Sequence, residues 1–227
     1  MKKLVILAFT LVSLTACQFV TYTGPNGAKQ TVAKGPVATK TLDLKDFQSI
    51  VMNGHADVTY VQSPDFSVEL TANEDAFDKL VVSVEDGTLI VKPKDNIQLR
   101  AQKLELLVKA PEMESVVVNG AADFDLDNYT SQNPMSITVN GAGDIDLKNA
   151  KVPSLQIVVN GAGDIDVTDV ETEDLKVVVS GAGDAKVSGH AVNGQFTISG
   201  AGDIDVRELS CENLTTHKNG VGRVKKR

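Results

Sequence analysis

The chain has no tryptophan, and its three tyrosines and seven phenylalanines bring aromatics to only 4% of 227 residues. A platform of rings for stacking sugars or bases is therefore poorly supplied. Only two cysteines occur, Cys17 and Cys211, too few for a disulfide framework. The three histidines, His55, His190 and His217, are scattered and share no metal-ligand spacing. Basic residues are outnumbered 22 to 30 by acidic ones, for a net charge of −8. That balance argues against nucleic acid, and against an anionic membrane surface, as the partner.

What the chain has instead is repetition. VNGAGDIDL at 139–147 returns as VNGAGDIDV at 159–167, VSGAGDAKV at 179–187 and ISGAGDIDV at 198–206. Weaker copies stand at 118–126 and 218–226, and a distant one at 52–60. The leading residues Asn119, Asn140, Asn160, Ser180, Ser199 and Asn219 are 21, 20, 20, 19 and 20 residues apart. A constant period of this size marks a stacked array in which each repeat is one supersecondary unit. Val118, Val139, Val159, Val179 and Ile198 precede the leading residue, and Val116, Ile137, Ile157, Val177 and Phe196 lie two positions further back. The residues one position further back are polar, which is the alternation of a half-buried strand. After the Gly-Ala-Gly bend a second short strand alternates apolar residues with acids.

Two short strands in about 20 residues cannot bury a core alone, but coiling each repeat onto the next, about 4.8 Å away, builds one continuous apolar column. The pattern predicts an all-β solenoid, a parallel β-helix of ~20-residue coils, with a more irregular N-terminal half; an antiparallel hairpin array is the competing arrangement. Gly143, Gly163, Gly183 and Gly202 supply a tight corner, through positive φ or by leaving room for the adjacent coil. Asn119, Asn140, Asn160, Ser180 and Ser199 form a polar ladder along that corner, bonding at the turn. The last copy, with Thr216 and Lys218 at inward positions and Arg223, Lys225 and Lys226 after the bend, reads as a polar cap.

In chain order, residues 1–16 read as a secretion signal: Lys2 and Lys3, then the apolar LVILAFTLV, too short for a permanent span. Leu14-Thr15-Ala16-Cys17 resembles the lipobox of bacterial lipoproteins, which implies cleavage before Cys17 and acylation of its thiol, an anchor that holds firmly when several chains are attached. Gln18, in place of an Asp after the cysteine, points to the outer membrane. Residues 17–40 read as the lipidated N-terminus and a flexible tether rich in Thr, Gly, Pro and Lys. One domain follows over 41–227. Within it, 65–72 and 104–110 read as strands, Asn73 as the cap of a short helix through Leu80, and Val81–Val84 with Thr88–Val91 as a hairpin around Asp86-Gly87. The 66 residues from Asn53 to Asn119, about three periods, suggest degenerate coils with insertions. Cys211 has no His or Asp patterned around it, which disfavours a catalytic thiol.

The lead-in DFQSIVMNGHADVTY, the piece LVVSVEDGTLIVK and the repeated [VI]-[NS]-GAGDIDV together resemble the GIN-domain family of bacterial auto-transporter adhesin heads. The resemblance covers roughly residues 37–226. It implies a right-handed parallel β-helical domain, often on an envelope lipoprotein, and it carries no catalytic residues across.

The chemically loud feature is acidic. Stacked in register, Asp123, Asp144, Asp164, Asp184 and Asp203 form one outward column. Asp125, Asp146, Asp166 and Asp205 form a second, interrupted by Lys186. Neighbours about 5 Å apart cost each other roughly 0.8 kcal/mol in water. Solvent and salt offset that cost, or else a hard cation does: Asp123, Asp144, Asp146, Asp164, Asp166, Asp184, Asp203 and Asp205 are the candidate calcium ligands. The period of twenty separates these repeats from nine-residue calcium-binding ones. Carboxylates that repeat identically also speak against an enzyme, whose site is normally singular. The sequence thus reads as a lipid-anchored, non-catalytic envelope module of the adhesin kind, with a surface protein or glycan as partner and no cofactor required. A periplasm-facing scaffold and a polysaccharide-acting enzyme are the alternatives.

Overall fold

The structure is a computed structural model that describes residues 29–95 and 97–226. The secretion signal, Cys17 and Gln18 lie outside the described residues. The N-terminal strands are β1 (Lys29–Val32), β2 (Val37–Leu42), β3 (Ser49–Gln62), β4 (Ser67–Asn73), β5 (Leu80–Glu85), β6 (Thr88–Pro93), β7 (Ile97–Arg100) and β8 (Leu104–Ala110). The repeats follow as β9 (Ser115–Thr130), β10 (Met135–Gly141), β11 (Ile145–Val159), β12 (Ile165–Val179), β13 (Ala185–Ile198), β14 (Ile204–Lys218) and β15 (Val224–Lys225).

The repeat period sets the register. Asn140 lies opposite Asn119, Ile137 opposite Ile157, Ile145 opposite Ile165, Val177 opposite Phe196 and Ala185 opposite Ile204. Every pairing among β9 to β15 is parallel, which sets aside the antiparallel array. The protein is all-β, with one long multi-stranded sheet that does not close into a barrel and a separate β1–β7 ribbon.

The alternation places the core. Val116, Ile137, Ile157, Val177 and Phe196 are buried one above another, as are Val118, Val139, Val159, Val179 and Ile198. Size variations compensate locally. Gly194, between Leu175 and Leu214, has no side chain because the Phe196 ring and the Cys211 sulfur fill that space. Tyr60 and Tyr129 pack edge to face, 5.8 Å between centroids. Their buried hydroxyls are satisfied: Tyr60 donates to the Ala110 carbonyl at 2.7 Å, and Tyr129 accepts from the Met113 amide at 2.9 Å.

The N-terminal half departs from the expectation in three ways. β3 pairs directly with β9, Asn53 opposite Asn119, so the 66-residue gap is one inter-strand step and not three periods. The intervening chain forms the layer beyond β3, where β6 pairs with its first half and β8 with its second. Residues 29–40, expected as tether, contain β1 and β2; β2 runs antiparallel to β4, and the hydroxyls of Thr39 and Thr71 meet at 2.8 Å. The short helix is present, as a 3-10 turn over Glu74–Lys79, but Asn73 does not cap it through its side chain. Its buried amide instead donates to the Gly35 carbonyl at 3.0 Å and accepts from the Gln102 amide at 3.1 Å, clamping the β1–β2 connection onto the sheet. The hairpin forms as expected: β5 and β6 are antiparallel, and Asp86 and Gly87 both take positive φ. Among the described residues, no helix is long and apolar enough to cross a membrane.

Candidate functional site

The repeated corner is where the outward polar groups gather. Backbone bonds join consecutive repeats there: Ala142 donates to the Gly120 carbonyl, Ala162 to Gly141, Ala182 to Gly161 and Ala201 to Gly181, all at 2.8–2.9 Å. The glycines exist to permit this approach. Gly143, Gly163, Gly183 and Gly202 are buried and none has positive φ; a Cβ on any of them would collide with the carbonyl oxygen of the preceding coil. Of the two roles the sequence allowed, room for the neighbouring coil is the one that holds at these four positions.

The leading residues form the expected ladder in part. Asn160 donates through Nδ2 to Asn140 Oδ1 at 3.0 Å, Asn140 to Asn119 at 2.9 Å, and Asn119 to Asn53 at 2.8 Å. Ser180 and Ser199 continue it through the backbone, bonding the carbonyls of Val159 and Val179.

The first acidic column is bonded differently from the reading above. Asp123 Oδ1 accepts the backbone N–H of Asp144 at 3.1 Å, and Asp144 accepts that of Asp164 at 3.0 Å. Asp164 accepts from Asp184 at 2.9 Å, Asp184 from Asp203 at 2.7 Å, and Asp203 from Arg223 at 2.9 Å. Each carboxylate thus binds an amide of the next repeat, and this charge-assisted bond offsets the repulsion down the column. The C-terminal end is closed by cations, with Arg223 and Lys225 each 3.1 Å from Asp203 Oδ2. Lys225 and Arg223 hold the Asp203 carboxyl at about 2, below its ordinary 3.8.

In the second column Asp125, Asp146, Asp166, Lys186, Asp205 and Lys225 lie in register, so two lysines interleave with the acids. Arg207 grips Asp205 through two guanidinium nitrogens and holds it at about 2. Asp125, at the other end, is pushed upward by desolvation and by Asp146. The columns line an open groove of about 390 Å³. No three His, Cys, Asp or Glu side chains among the described residues are placed to share a metal ion, and in the first column one oxygen of each carboxylate is already committed to an amide.

Two features escaped the sequence reading. One is the pairing of Arg223 and Lys225 with Asp203, since the sequence marked these cations only as part of a polar cap. The other is a second corner nine residues after Asn119, Asn140, Asn160 and Ser180, where Asn128, Asn149, Asp169 and Gly189 all take positive φ. Asn149 donates to Asn128 Oδ1 at 3.2 Å along it. Asn, Asp and Gly are the residues that tolerate this conformation, and their fixed offset was the available signal. Cys211 is a free thiol, raised above its ordinary pKa by burial, which disfavours the thiolate a nucleophile needs. The scattered histidines do not converge with it.

Solved structures share the fold. A crystal structure from Parabacteroides distasonis, titled a putative lipid binding protein, superposes with a TM-score of 0.80 at 22% identity, covering 88% of this chain and 100% of that one. One from Bacteroides fragilis, titled a putative adhesin, gives 0.66 at 19% identity, with 87% and 100% covered. A putative adhesin from Parabacteroides merdae gives 0.51 at 17%, with 88% and 100% covered. At these identities the likeness concerns the fold alone. No curated protein matches the chain. The family described as "putative auto-transporter adhesin, head GIN domain" matches residues 46–167 and 129–226, and the chain belongs to it.

Proposed function

We propose that the protein is a cell-envelope binding module of the adhesin type, held to the outer membrane by lipid on Cys17 and built as a right-handed parallel β-helix, with no catalytic centre. The observation that carries this reading is the in-register repetition of exposed polar side chains from coil to coil. Such a surface offers the same group every turn, which suits multivalent contact with a repetitive partner such as a surface protein or glycan, whereas catalysis requires one singular constellation. The relatives titled adhesins agree with the module's use in binding, and the relative titled a lipid-binding protein agrees with a place at a membrane.

A periplasm-facing scaffold without an external ligand is the second reading. It is favoured by the bonding of the corner residues to one another, which leaves Asn119 and Asn140 few free groups to offer. Protease digestion of intact cells expressing the full chain separates the two. Degradation with the outer membrane unbroken supports the adhesin reading. Protection until the membrane is permeabilised overturns it in favour of the scaffold. Incorporation of labelled palmitate that is lost in Cys17→Ala tests the anchor separately.

A further inference from the structure

Beside the β1–β7 ribbon, where β3 passes against β9, lies an open cavity of about 590 Å³, within the size range of small-molecule sites. Its lining comes from the β6–β8 segment (Pro93, Leu99 and Ala101 among others) and from the start of the stack (Gly54, His55 and Ala121). This segment is an insertion outside the repeats, so the cavity is singular where the exposed columns are periodic. Leu99 and Ala101 pack one side against the core and are only half-buried, which leaves apolar surface to the cavity.

The charge of the lining is unusual for this chain. Of 30 acids none borders the cavity, while Arg100 does. Arg100 is exposed, and its guanidinium has no partner among the described residues. Two further polar groups flank it. Asn53 accepts from Asn119 through Oδ1, and the other end of its amide has no partner among the described residues. His55 Nδ1 lies 2.6 Å from the Ala121 carbonyl oxygen. Since a carbonyl only accepts, Nδ1 carries the hydrogen and Nε2 stays available.

We infer that this cavity binds a small amphipathic anion, an acyl chain ending in a carboxylate. The hydrocarbon lies against Pro93, Leu99 and Ala101, and the carboxylate pairs with Arg100, whose planar fork matches its two oxygens. One cation selects a monoanion, and the apolar lining selects a hydrocarbon body over a free inorganic ion. The inference goes beyond the adhesin reading and does not rest on it.

The test is calorimetric titration of the full chain with dodecanoate below its micellar concentration, beside dodecanol and dodecyltrimethylammonium. One saturable site per chain is expected for dodecanoate, with dodecanol at least tenfold weaker and no binding of the cation. Arg100→Gln is expected to weaken dodecanoate at least tenfold and to leave dodecanol unchanged. Ala121→Phe, at an exposed position on the rim, is expected to block both. Arg100 takes no part in the core, so its variant remains informative if Ala121→Phe disturbs the stack. Absence of saturable binding, equal affinity for dodecanoate and dodecanol, or wild-type affinity in Arg100→Gln overturns the inference.

Discussion

Asp164 Oδ1 accepts the backbone N–H of Asp184 at 2.9 Å, so a carboxylate in a column of like charges is a structural acceptor for the next repeat. Asp164→Ala removes that acceptor and is expected to cost about 1.5–3 kcal/mol, the range of a hydrogen bond to a charged group. Asp164→Asn keeps an oxygen in place and is expected to stay within about 0.5 kcal/mol of the parent, trading charge assistance against relieved repulsion. The double change Asp164→Asn with Asp184→Asn, which unrelieved repulsion would stabilise, is expected to leave the melting temperature unchanged or lower. Thermal denaturation in metal-free buffer reads all three, and a clear rise for the double variant would show that the amide bonds do not offset the repulsion.

Gly163 is buried, and a Cβ there would meet the Gly143 carbonyl oxygen. The atoms it would meet are all Gly143 backbone, with no flexible side chain to yield, so Gly163→Ala is expected at the severe end of overpacking, about 3 kcal/mol or more. The neighbouring exposed Ala162→Ser is expected to be neutral. Urea denaturation midpoints compare the two, and similar midpoints would mean that the coils can separate at this corner without cost.

How much of this was legible depended on whether one residue type has one physical use. Val139, Val159 and Val179 gave the strand and the inward face at once, because period-two burial and period-twenty recurrence agree, while the parallel pairing had an antiparallel array as its competitor until the register settled it. The Asp86-Gly87 turn was legible for the same reason. Asn73 was not: an Asn before two acids is a capping signal, but its amide was drawn to Gly35 and Gln102, which lie 38 and 29 residues away in sequence. Asp164 was legible as exposed and charged but not as an acceptor, since the bond depends on the orientation of a backbone N–H in the next coil. Arg100 and His55 gave no local signal, because a long insertion brings them to one cavity.

Asp203 and Asp205 should make the C-terminal end acid-sensitive. Both carboxyls sit at about 2 in the folded protein against an ordinary 3.8, held down by Lys225 and Arg223 in one case and by Arg207 in the other. A depressed carboxyl stabilises above its unfolded pKa, and that contribution is lost as pH falls through the folded value. The parent is therefore expected to melt above the Arg223→Ala, Lys225→Ala double variant by a constant margin at neutral pH. That margin should shrink below about pH 4 and vanish only well below about pH 2. Melting curves across that window check this, and a margin independent of pH would mean that the cations act through packing and not through Asp203.

Asp125, at the far end of the second column, carries the opposite sign. Desolvation, reinforced by Asp146, raises its carboxyl above the ordinary value. A raised carboxyl penalises the fold while it is ionised, and the penalty is relieved as pH falls through the folded pKa. Asp125→Asn removes the charge and keeps the shape, so it is expected to raise the melting temperature at pH 7. The gain should disappear in acid, once the parent's carboxyl is itself protonated. Asp146→Asn, which deletes the like-charged neighbour opposite it in register, should produce part of the same gain at pH 7. Melting curves of the parent and both variants at neutral and acid pH decide the matter. An unchanged or lower melting temperature for Asp125→Asn at pH 7 would show that Lys148, the nearby opposing charge, already compensates the partly desolvated carboxylate.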